Sequence, residues 1–204
     1  MRAAVRAGVA ERPYAAAWLA LACPLLACLP ESVAAALDWE RGAILAGQWW
    51  RLWTGHLVHF GLQHALFDAI VLYAGASLLE REIGAPRLLR QLLLAAPLVS
   101  LALLAVPDLI TYRGASGLAA SVALAAGMAL WPTAGRWRPA LLAGGLACAA
   151  STAAQAFGPR WSAAGLPGGI VVAWQAHVFG AACALLPGWR GAVRIARAIR
   201  APNT

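Results

Sequence analysis

Ser116 stands in the string Gly114-Ala115-Ser116-Gly117, and His177 in Trp174-Gln175-Ala176-His177-Val178-Phe179-Gly180. A serine hydroxyl is a weak nucleophile until a base takes its proton, and a neighbouring imidazole is the usual base. Together the two residues offer a nucleophile–base dyad for acyl transfer. Gly114 and Gly117 remove side chains around the serine, leaving room for a substrate backbone and a second helix. Gly180, one turn beyond His177 on the same face, gives its own helix the same freedom.

Taken singly, each motif has a blander reading. GASG is also a small-residue packing patch of the kind membrane helices use, and His177 alone is also a histidine bonding between helices. The GxSG string opens the nucleophile elbow of soluble hydrolases too, but there a strand precedes it, and none is expected here. No carboxylate lies near His177 in sequence, so a two-member dyad is the simpler proposal. Asp68 and Glu80 are the candidate acids. The cysteines Cys23, Cys28, Cys148 and Cys183 lie in apolar runs without zinc-ligand spacing and read as small hydrophobes. No metal and no organic cofactor is implied.

The elements that must position these groups follow from composition. Of 204 residues, 62% are hydrophobic and only 12% charged, about half the charge of an ordinary soluble domain. The net charge of +8 comes entirely from arginine. These arginines sit in short clusters between apolar runs, the pattern of cytoplasmic loops rather than of a nucleic-acid surface. Stretches free of Asp, Glu, Lys and Arg cover 13–30, 91–107, 114–135, 139–159 and 161–189. A spanning helix needs about 20 mostly apolar residues. The sequence therefore predicts an all-α polytopic membrane protein with helices near 13–32, 62–82, 88–107, 114–132, 138–157 and 168–187. Residues 33–61 form a long amphipathic first loop lying partly in the outer interface. Residues 1–12 and 188–204 are the tails of a membrane domain covering 13–187.

With the N-terminus inside, twelve arginines fall on inner segments and four on outer ones. Both termini are then cytoplasmic, as six spans require. The N-terminus also resembles a secretory signal with Ala34-Ala35-Ala36 as a cleavage site, but the later spans favour an uncleaved first helix. Trp39, Trp49, Trp50, Trp53, Trp131, Trp137 and Trp189 are expected at headgroup level, where indoles are favoured. Within the spans, strongly polar groups are costly and mark function. His64, Asp68, Ser116 and His177 qualify, and all four fall in the outer half, within roughly 10 Å in depth.

The stretch from Trp50-Arg51 through Gly55-His56, His59 and His64 to Asp68 resembles the rhomboid protease signature, in which a WR pair in the first loop is followed by a histidine and then by H-x-x-x-N opening helix two. GASG at 114–117 and AHVFG at 176–180 resemble the catalytic motifs of the same family on helices four and six. The resemblance covers about residues 45–187. It implies a six-helix rhomboid fold and an intramembrane serine endopeptidase whose partners are the lipid bilayer and a membrane-anchored protein substrate. It implies that Ser116 attacks the scissile carbonyl and that His177 moves the proton. It also implies that His64, the Ser116 N–H and position 68 form the oxyanion hole, donors typically worth about 3–4 kcal/mol each. His59 would line the water-filled cavity, and Glu80 would serve structure.

Position 68 departs from the pattern, since Asn is usual there. An ionised aspartate accepts hydrogen bonds and cannot donate to an oxyanion. Either burial keeps it protonated, or it pairs with His64 or water and leaves the oxyanion to the other donors. Length and the WQAH context resemble the rhombosortase branch, which implies trimming of C-terminal Gly-Gly anchors at a bacterial inner membrane. Rival readings are a rhomboid-like pseudoprotease that binds helices uncut, and a small channel lined by His64 and Asp68.

Overall fold

The computed structural model describes residues 13–157, 172–186 and 188–189. Its order is α1 (Tyr14–Leu26), α2 (Glu31–Leu37), β1 (Trp39–Glu40), α3 (Arg41–Leu45), α4 (Arg51–Thr54), α5 (Leu62–Ile83) and α6 (Ala85–Leu103). After these come β2 (Thr111–Tyr112), α7 (Ser116–Leu130), α8 (Arg138–Phe157) and α9 (Trp174–Cys183). Four helical stretches are long and apolar enough to cross a membrane: Leu62–Ile83, Ala85–Leu103, Ser116–Thr133 and Gly135–Phe157.

α5 matches its expected bounds because its apolar run is closed at both ends by glycine. Gly84, at φ +80, ends α5 and begins α6, a conformation that a Cβ disfavours. Pro86 then occupies the first turn of α6, where its missing N–H costs nothing. The expected first helix, 13–32, is cut short. α1 stops at Leu26, and the chain restarts as α2 behind Pro30, a residue type that disfavours the helical conformation in the residue before it. At 13 residues, α1 is shorter than the four crossing candidates. The first loop also differs from expectation, because α2, α3 and α4 give it regular structure.

α7 packs between α5 and α9. Gly75 of α5 lies against α7 so closely that a Cβ there would come within 2.9 Å of the Ala123 N and a Val122 methyl. Glu80 is buried and accepts from the Ala15 and Ala16 N–H groups at 3.1 and 2.8 Å. Its carboxylate thus satisfies the orphan donors at the start of α1. It also fixes α1 antiparallel to α5. At the opposite end, β1 pairs antiparallel with β2, Trp39 opposite Tyr112.

Two tryptophans expected at headgroup level are in the core instead. Trp39 is fully buried and its indole N–H donates to the Ser100 carbonyl at 3.0 Å. Trp189 is buried as well. Trp49, Trp50, Trp53, Trp131 and Trp137 are exposed.

Candidate active site

The site forms where the N-termini of α5, α7 and α9 meet. His64 is the third residue of α5, Ser116 the first of α7 and His177 the fourth of α9. The sixth helix was expected from 168. Within the described residues it starts at Trp174, which moves His177 from mid-helix to the first turn; residues 168–171 lie outside them. All three groups therefore sit within about one turn of a helix start.

Two glycines set the approach of α7 and α9. A Cβ on Gly117 would meet the Ala176 carbonyl oxygen at 3.0 Å, and one on Gly180 would overlap the Gly117 carbonyl. The neighbours of Ser116 and His177 are thus in backbone contact. Among the described residues no hydrogen bond joins the Ser116 hydroxyl to His177.

On the other side of Ser116, Gly114 holds φ +133. A Cβ there would come within 3.0 Å of Asp68 Oδ2 and of His64 Cε1 and Nε2. Only glycine fits that backbone and that space. Asp68 Oδ2 lies 3.1 Å from His59 Nε2 and 3.6 Å from His64 Nε2. The Ala115 N–H points at His59 Nε2, 3.3 Å away. His59, Asp68, His64, Gly114 and Ser116 are thereby brought to one place. Glu80, the other candidate acid, is at the far end of α5 capping α1. No cluster of metal-ligand type occurs among the described residues.

Several residues of the site escaped sequence reasoning. Tyr112 donates its hydroxyl to the Gly114 carbonyl at 2.6 Å and faces the Ser116 side chain. Burial pushes its phenol up, so it stays a neutral donor. His56 Nε2–H donates between the Ala96 carbonyl and the Ser100 hydroxyl, both at 3.0 Å, while Ser100 donates onward to the Leu52 carbonyl. Arg113, next to GASG, is buried, and its guanidinium donates to Asp38 and Glu31. The signal for it was available: an arginine on an outer segment, beside a motif, needs a partner.

A rhomboid domain model matches residues 46–194, about three quarters of the chain. The chain belongs to the rhomboid family. Members of the rhomboid family are intramembrane serine proteases acting within the bilayer on membrane proteins. The match and the apolar helices together make this an integral membrane protein. No curated protein matches the chain as a relative.

Proposed function

We propose that this rhomboid is an active six-span serine endopeptidase of a bacterial inner membrane, cutting a membrane-anchored protein near the outer face. Ser116 Oγ attacks the scissile carbonyl carbon as His177 takes its proton. Collapse of the tetrahedral intermediate breaks the C–N bond, and His177 returns the proton to the leaving amine. Water then hydrolyses the acyl ester through the same base.

The observation that carries this reading is the contact of Gly117 with the Ala176 backbone, which sets a serine and a histidine on adjoining helix starts. The Ser116 N–H is the first of α7 and has no partner within the helix. It and His64 are the oxyanion donors. Asp68 Oδ2 and the Ala115 N–H both meet His59 Nε2 and hold that ring beside them. Both termini are cytoplasmic, in line with the arginine bias. The WQAH context favours a rhombosortase-type substrate with a C-terminal Gly-Gly anchor.

The rival is a pseudoprotease, and one observation favours it: an acid sits beside His64 where an oxyanion would need donors only. A fluorophosphonate probe applied to the detergent-solubilised chain separates the two. Labelling that disappears in Ser116→Ala supports the protease. No labelling of the parent chain, or labelling that survives the substitution, supports the rival.

A further inference from the structure

His64 is gripped by rings rather than by hydrogen bonds. Its Nδ1 is buried without a partner among the described residues. Its Nε2 is 3.6 Å from Asp68 Oδ2, beyond hydrogen-bond length. What holds the imidazole plane is Phe60, whose ring lies parallel at 8° with centroids 6.3 Å apart, and the edge of His59 at 5.1 Å. Such offset stacks are directional.

Phe60 in turn is only half-buried, and it also meets Arg113. The guanidinium carbon stands 5.0 Å from the Phe60 centroid, within cation–π range. The guanidinium has little freedom of its own. Nε and NH2 donate to Asp38 Oδ2 at 3.1 Å each, and NH1 and NH2 donate to Glu31 at 2.9 and 2.5 Å. Asp38 is fixed further by Arg51, 2.8 Å from its other oxygen. A planar fork held at both faces of its donor set is a rigid plate. Arg113 also precedes Gly114, where a Cβ would come within 3.0 Å of the His64 ring.

We propose that Arg113 and Phe60 are positioning residues that set the ring plane of His64, so that its N–H aims at the oxyanion. This rests on the protease reading above. An oxyanion donor acts in the transition state, so misaiming it slows the chemical step and leaves binding of the reagent alone. A residue needed only for folding would move the thermal midpoint instead.

The test uses the purified full chain and a fluorophosphonate, resolving the limiting inactivation rate from the half-saturating concentration. Phe60→Leu is expected to lower the limiting rate about tenfold at unchanged half-saturation, with Phe60→Tyr restoring it to within about twofold. Arg113→Gln should match Phe60→Leu, and the double variant should be no slower than either. A second readout is independent of the serine: the His64 ring-proton resonance, assigned by its loss in His64→Ala, should shift in Phe60→Leu and return in Phe60→Tyr. An unmoved resonance, or Phe60→Leu reacting at the parent rate, overturns the positioning role. Parent chain that fails to react while the resonance shifts as expected overturns the protease reading and leaves the stack intact.

Discussion

The Trp53 indole N–H donates to the Leu93 carbonyl at 2.9 Å. That carbonyl is the one Pro97, inside α6, leaves without a helical donor. A side chain of the first loop thus repairs a break in a crossing helix, and the loop is pinned to the bundle as a result. Trp53→Phe keeps the ring but not the donor, and should cost about 1 kcal/mol. In a Pro97→Ala background, where the helix supplies its own N–H, the same change should cost almost nothing. Equal costs in both backgrounds, measured by chemical denaturation, would show that the bond is not a repair.

Gly180→Ala places a methyl on the Gly117 carbonyl. α9 must move away from α7, at an overpacking cost of about 1–3 kcal/mol. Fluorophosphonate labelling should fall by more than tenfold, with the thermal midpoint lowered as well. A variant as stable and as reactive as its parent would mean that the two helices do not approach there.

Stability should also depend on the pH around His56. Burial pushes its imidazole down from 6.5 to about 4. Between those values the unfolded chain binds a proton that the fold refuses, so stability falls as pH drops through the window. The full effect is about 3 kcal/mol, from roughly 2.5 pH units at 1.36 kcal/mol each. His56→Asn should show a shallower loss than its parent between pH 7 and 4. Identical slopes of unfolding free energy in the two proteins would contradict the assignment.

In Asp68→Asn the atom that faces both His59 and His64 can be an amide NH2, a donor where the carboxylate offers none. Turnover of a membrane-anchored reporter should stay level or rise. Complete loss of turnover would show that the negative charge is itself required.

The elements that were legible from the sequence are those fixed by local pattern. α5 is bounded by Gly61 and Gly84 around one apolar run, and α8 by Arg138 and Phe157. Ser116, His64 and Asp68 stood out because polar groups within spans are expensive. The misreadings of Trp39 and Arg113 share one cause, partners distant in sequence. Trp39 has the residue type of a headgroup anchor, yet the Ser100 carbonyl lets it bury. Arg113 counts only as an outer charge until Glu31 and Asp38 fold onto it. The first helix was misjudged for a local reason, since Pro30 weighed less in an apolar count than in a backbone.

Peptide mapping of the fluorophosphonate adduct, in the parent chain and in His177→Ala, tests the pairing of the two helix starts most directly. The expected result is a single adduct on Ser116, formed at least a hundredfold more slowly in His177→Ala at an unchanged thermal midpoint. An adduct on another hydroxyl, or His177→Ala reacting at the parent rate, would contradict it.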